Sequence, residues 1–236
     1  MAFLKIVCIV ATTLGLHVAS TSPNPPLRPS ERTITPTSME CILVSPSFRG
    51  AQKLLYWVAA LAESALVVAQ LNPRSTPSQW VIATLALGGG RLTTCLSAPL
   101  ALGFLLISGG ALLRLQCYRV LGRHFTFETG IVRGHRLVTT GPYATVRHPS
   151  YTGAILAYLG LLCYYGSPGS WLVECVAKGS TAGTVFCGAY AGVMSLVVSG
   201  LLSRISKEDA GLKREFGAEW DLYAARVPYV LIPGMY

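Results

Sequence analysis

The chain has 236 residues, enough for one or two soluble domains, but 52% of them are apolar and only 12% charged. Mean hydropathy is positive, which fits a bilayer protein and argues against a soluble globule. The net charge of +9 is spread between apolar runs without an aromatic-interleaved basic stripe, so no nucleic-acid partner is expected and a membrane surface is.

Residues 2–19 form an apolar run with Lys5 near its start and small residues after it, a pattern shared by a secretory signal peptide and a first span. Residues 21–37 follow, rich in Pro, Ser and Thr; five prolines forbid a regular helix there. Residues 54–71 are apolar apart from Glu63 and just long enough to cross about 30 Å of hydrocarbon. Asn72-Pro73 stops that span. The segment 80–87 is too short to cross and reads, with Gly88-Gly89-Gly90, as an interfacial or partly re-entrant piece. Residues 96–117 form the next span, ending near Arg114 and Arg119, which can snorkel to the headgroups.

The stretch 135–153 concentrates two histidines, Arg136 and Arg147, two X-Pro turns and two tyrosines, without a carboxylate. Residues 152–165 and 181–202 then read as an antiparallel hairpin broken at Gly166-Ser-Pro-Gly169. Its glycines, alanines and serines are expected to let the two helices pack closely. From Arg204 to Tyr223 the chain carries five acids and four bases and reads as one water-facing amphipathic helix, with Leu212, Phe216, Trp220 and Tyr223 on its buried face.

Seven cysteines are odd in number, dispersed and without a CxxC pair, so neither a disulfide framework nor a metal site is expected. The chain closes Pro-Gly-Met-Tyr without a CaaX box, and is not expected to be prenylated itself. Residues 118–150 hold five Lys or Arg and the tail five more, whereas the hairpin loop has only Lys178. The positive-inside rule therefore places stretch and tail on the cytoplasmic face. Five spans satisfy this with the N-terminus outside; a cleaved signal would put the stretch outside. The expected fold is an all-α polytopic membrane protein of about five transmembrane helices, with a C-terminal helical hairpin and a cytoplasmic cofactor pocket. It divides into N-terminal spans (1–109) and a core (110–236).

Arg147 and His148 precede Pro149, a residue suited to a helix's first turn. Backbone donors at that terminus, with these side chains and the Tyr151 hydroxyl, suit a carboxylate. Arg204 and Glu208, four apart, share a helix face at the end of the last span, followed by Asp209. The hairpin brings the two clusters together, giving a membrane-edge pocket with cations on one wall and a carboxylate on the other. Such a pocket matches an amino-acid zwitterion. Glu63 and Arg114 are the remaining intramembrane charges. They either line a lipid-side access path or, more simply, Arg114 snorkels and Glu63 pairs locally or stays protonated.

From Gly110 onward the sequence carries Leu-Gly-Arg-His-Phe-Thr-Phe-Glu (121–128), His-x-Leu-Val-Thr-Thr-Gly-x-Tyr (135–143) and Arg-His-Pro-Ser-Tyr-x-Gly (147–153). An acidic pair (208, 209), Phe-Gly-x-Glu-Trp-x-x-Tyr (216–223) and Arg-Val-Pro-x-x-x-Ile-Pro (226–233) follow. In this order and spacing the blocks resemble the isoprenylcysteine carboxyl methyltransferase family. These are integral membrane enzymes, typically of the endoplasmic reticulum, that use S-adenosylmethionine to methylate the C-terminal carboxylate of prenylated proteins after CaaX trimming. The resemblance implies cofactor contacts at Glu128, His135, Arg136, Leu137, Val138, Tyr143, His148, Pro149, Ser150, Tyr151 and Glu208. It implies substrate binding by Arg204, catalytic roles for Arg204 and Glu208, and prenylated proteins and membrane lipid as partners. Asp209 stands where the family usually has a second glutamate, and Glu128 where it often has glutamine. The first hundred residues match none of its motifs.

A carboxylate is already ionised at neutral pH, so the implied reaction needs in-line positioning and exclusion of water rather than a general base. Two other readings share parts of the pattern. Phospholipid N-methyltransferases carry a similar Arg-His-Pro block but act on an amine that must first lose a proton. Membrane sterol reductases use NADPH, whose phosphates call for more cations than Glu128, Glu208 and Asp209 suggest.

Overall fold

The computed structural model describes residues 1–27, 41–42, 44–93, 95–128, 130 and 134–235. Residues 28–37 of the proline-rich connector, and Arg133 among the cations of the central stretch, lie outside the described residues. Among those described, seven α-helices carry the fold: α1 (Ala2–Ala19), α2 (Pro46–Leu71), α3 (Thr76–Leu85), α4 (Ala98–Leu121), α5 (Pro149–Tyr165), α6 (Thr181–Phe216) and α7 (Ala218–Arg226). No strand interrupts them there.

Local chemistry sets the boundaries. Ser45 accepts from the Phe48 amide at 3.2 Å and Pro46 opens α2, so that helix begins eight residues before the apolar run does. Ser180 caps α6 through the Gly183 amide at 3.0 Å. Gly122 and Gly217, both at φ 54°, end α4 and α6 in a conformation that a side chain disfavours. The Gly217 break corrects the expectation of one tail helix. The last span runs unbroken for 36 residues, well past the bilayer, and Leu212 and Phe216 lie on α6 while Trp220 and Tyr223 lie on α7.

Among the described residues, four helices are long and apolar enough to cross a membrane: α1, α2, α4 with its following turn, and α6. The fifth expected span, α5, has 17 residues, the lower end of the range of about 17–25 that crosses hydrocarbon. The N-terminal run is a packed helix of the bundle, the arrangement expected of a span. Ile9 and Leu16 sit in the main core with Tyr56, Leu100, Ile107, Leu161 and Tyr164. Lys5 and Glu63, both fully buried, form an ion pair at 3.0 Å. The ammonium also donates to Thr93 O at 2.8 Å and Gly169 O at 2.9 Å, and the carboxylate accepts from the Trp171 amide at 3.3 Å. Glu63 thus pairs locally, far from any access path.

The tightest helix pair is α4–α5, not the α5–α6 hairpin. A Cβ on Gly103 would meet Tyr164 N at 2.6 Å, one on Gly110 would meet Gly153 O at 2.5 Å, and one on Gly160 would meet Ile107 N at 2.7 Å. The small residues of α5 therefore serve α4. On α6, Gly188 and Gly192 face open space, and only 6% of its apolar window is buried. Along the span it is reached from α5 by Tyr158 OH to Ser195 Oγ at 2.6 Å and from α2 by Gln52 Nε2 to Met194 Sδ at 2.9 Å. Between α6 and the remaining helices a cavity opens.

Candidate active site

At the end of the bundle where α1, α4 and α6 finish and α2 and α5 begin, a cavity of about 310 Å³ runs from a polar mouth into an apolar interior. Its polar wall is built from the two clusters that the hairpin joins. Tyr151, in the first turn of α5, donates to Glu208 Oε1 at 2.5 Å. Arg204 Nη2 reaches the same oxygen at 2.9 Å, and its Nη1 donates to Phe127 O at 2.9 Å. One turn of α6 thereby places a guanidinium and a carboxylate side by side, with the carboxylate oriented from two directions.

His148 Nε2 lies 2.8 Å from Asp209 Oδ1, so the proton sits on Nε2 and donates to the carboxylate; Nδ1 faces Glu208 Oε2 at 3.8 Å. Arg147 backs this pair, with Nε 3.3 Å from Asp209 Oδ2 and its guanidinium over the Trp220 ring of α7. Asp209 reaches both partners. The C-terminal segment straps the same turn: the Arg147 and His148 amides donate to Tyr229 O and Val230 O, both at 2.9 Å. Arg147 Nη1 donates to Pro228 O at 2.8 Å, and Thr152 Oγ1 to Leu231 O at 2.7 Å.

The facing wall is a loop after α4. Glu128 borders the cavity and accepts from the Leu27 amide at 3.0 Å. His135 stacks obliquely on His124 at 4.8 Å and on Phe216 at 5.8 Å. Burial, and then the neighbouring His124 imidazole, hold His135 down at about 4, neutral at pH 7. The Nδ1 atoms of both rings are buried and have no hydrogen-bond partner among the described residues. Tyr143 is buried and held by Tyr223, whose hydroxyl donates to Tyr143 O at 2.8 Å. Burial, with the Cys117 thiol nearby, pushes the Tyr143 phenol well above its ordinary range.

The sequence-selected residues Glu128, His135, Leu137, Val138, Tyr143, His148, Ser150, Tyr151, Arg204 and Glu208 all border this cavity. Two do not. Arg136 is exposed, pointing away on the alternate side of an extended segment. Pro149 is buried at the start of α5 and borders a separate groove instead.

Sequence reasoning left Arg114 between a snorkelling position at the headgroups and the lining of an access path; it is only 5% exposed. It donates to Ser150 O at 3.0 Å and to the Tyr118 hydroxyl at 3.0 Å, and lies over Phe127. It lines the cavity rather than snorkelling, as the rule that intramembrane charges are functional leads one to expect. Gln52 and Tyr56 of α2 and Leu16 of α1 complete the apolar interior with Met194, Val198 and Leu161. No local signal in the first hundred residues marks them.

The arrangement has the chemistry of a two-part ligand site. Carboxylates and a guanidinium meet at the mouth, and an apolar channel leads from them toward the loosely packed face of α6. Residues 98–182, from the start of α4 into α6, match the family model for Phospholipid methyltransferase. The chain is 31% identical over 128 residues to protein-S-isoprenylcysteine O-methyltransferase B of Arabidopsis thaliana, covering 53% of this chain and 55% of the relative. It is 34% identical over 131 residues to protein-S-isoprenylcysteine O-methyltransferase of Schizosaccharomyces pombe, covering 54% and 46%. It is also 28% identical over 120 residues to a probable 7-dehydrocholesterol reductase of Acanthamoeba polyphaga mimivirus, covering 47% and 21%. The chain thus spans about half the length of the two methyltransferases, and no solved structure matches. The resemblance carried by the motifs is therefore found again by comparison: about half of the chain is similar to protein-S-isoprenylcysteine O-methyltransferases, and residues 98–182 match the phospholipid methyltransferase family model.

Proposed function

We propose that this protein methylates the C-terminal carboxylate of prenylated cysteine, using S-adenosylmethionine, on proteins already trimmed at a CaaX motif. The observation that carries the reading is the joining of Arg204 and Glu208, at the polar mouth, to an apolar channel between α2, α5 and α6. A prenylcysteine has this profile: a carboxylate attached to a long hydrocarbon. Arg204 orients the substrate carboxylate, and the isoprenoid enters sideways past α6, since moving it through water is costly.

The residues facing the cavity fit the proposed cofactor. S-adenosylmethionine supplies, when bound, an electrophilic methyl group on a sulfonium. Glu208 lies in position to balance positive charge, and the unpartnered Nδ1 atoms of His124 and His135 accept from polar N–H or O–H groups. Val138 and Leu137 provide apolar cover for a nucleobase. Because the substrate carboxylate is ionised at neutral pH, the chain's task is to align it and to keep water out. The Lys and Arg residues near these helix ends favour a cytoplasmic active site, and the resemblance to isoprenylcysteine methyltransferases favours the endoplasmic reticulum membrane.

One observation favours a second reading. The family model is that of phospholipid methyltransferases, and the His148–Asp209 pair at 2.8 Å has the form of an oriented base, which an amine substrate needs. Incubating membranes that contain the protein with labelled S-adenosylmethionine and N-acetyl-S-farnesylcysteine separates the two. Base-labile methyl ester on the farnesylcysteine is expected. Label recovered in phospholipid, with no ester, overturns the proposal in favour of N-methylation.

A further inference from the structure

A second concavity lies on the outer side of the helix pair that carries the active site. It is a groove of about 530 Å³ between the last turns of α4 and the turn that leads into α5, walled at one end by Leu231 and Pro233. Arg119 and Gln116 stand at its rim, both exposed. Arg119 makes no ion pair with the described residues, and it occupies the last turn of α4, the level at which a bilayer's headgroups meet a spanning helix.

Below this rim α4 presents one continuous exposed face. Leu102, Leu105, Gly109, Leu112, Gln116 and Arg119 are all exposed and recur at alternating intervals of three and four, which aligns them along the helix. The face is apolar through the membrane and turns polar, then cationic, at the groove. Gly109 makes a notch in it, since a Cβ there would meet nothing within 4 Å. Hydrocarbon-facing leucines, a notch, and an unneutralised guanidinium one helical face above them complement an acyl chain joined to an anionic headgroup.

We propose that this groove binds an anionic phospholipid, with its phosphate at Arg119 and Gln116 and an acyl chain along Leu112, Gly109 and Leu105. The site is separate from the active-site cavity but shares a wall with it. Val146 and Pro149 border the groove, while Tyr143 and His148 of the same turn border the cavity. Lipid in the groove therefore braces the turn that presents His148, and the proposal stands whichever methyl acceptor the protein uses.

The test uses the full chain in phosphatidylcholine vesicles doped with a photoactivatable phosphatidylserine or, in parallel, a photoactivatable phosphatidylcholine. Cross-linked peptides are then mapped. The serine lipid is expected to label residues 113–120 and 141–152 preferentially, and Arg119→Glu to cut that labelling at least about fivefold. Gly109→Leu, at a position where a Cβ meets nothing within 4 Å, should lower it with Arg119 intact. Arg74→Glu, at the opposite end of the bundle, should leave it unchanged. Equal labelling by the two lipids, or wild-type labelling of Arg119→Glu or Gly109→Leu, means annular lipid only and overturns the proposal.

Discussion

Two charge clusters lie within the helical bundle, and they differ in what their polar atoms face. At one end, Lys5 is saturated by Glu63 and two backbone carbonyls, and both side chains are wholly occluded. At the other, Arg204, Glu208 and His148, the last held by Asp209, are equally well paired but border a cavity. The first cluster joins α1, α2 and the loop before α6; with every donor used inside the protein, it can serve only to hold elements together. The second lies along the wall of a cavity. Buried charge marks function in a membrane protein when it borders a cavity, and marks architecture when it is sealed in the core.

Breaking each cluster should therefore fail in a different way. Lys5→Met strands the Glu63 carboxylate in the core and is expected to cost about 3–5 kcal/mol of stability, read as a lower unfolding temperature of the detergent-solubilised protein. Whatever folded protein remains should keep its substrate and cofactor KM. Adding Glu63→Leu should recover much of the loss, because removing both charges removes the desolvation penalty. A double variant as unstable as the single one would show that the pair's geometry, not its charge, matters.

Arg204→Ala should leave the fold largely intact and raise KM for N-acetyl-S-farnesylcysteine about 10- to 100-fold, the size of a lost charge-assisted hydrogen bond. The KM for S-adenosylmethionine should move much less, because Glu208 keeps its bond from Tyr151. The reverse pattern would place Arg204 on the cofactor side.

Much of this contrast is legible in the sequence, because it rests on local signals. Apolar runs, prolines and N-terminal serines define the helices, and the spacing of Arg204 and Glu208 puts them on one face. The ordered motif blocks bring forward the residues that border the cavity. Partner choice is less legible. The small residues of α5 suit either neighbour, and only the matching glycines 103 and 110 on α4 decide where the helix packs. Arg114 sits about two turns inside the helix end, where sequence alone cannot separate a snorkelling side chain from one held by Ser150. The contributions of Gln52 and Tyr56 depend on long-range packing of a segment with no motif.

The smallest expected effect concerns the loop wall of the cavity. His135 is held at about 4 in the folded protein, against about 6.5 for an unperturbed imidazole. The folded state therefore binds fewer protons than the unfolded one between those values, and stability rises with pH across that window. His135's contribution is complete above about pH 6.5 and lost as pH falls toward about 4. Replacing it with Gln removes the titrating group, so thermal unfolding of His135→Gln should show a shallower acid limb in this window and an unchanged one above it. An acid limb identical in His135→Gln would mean that another group carries it, and that the loop wall is not held by a neutral imidazole.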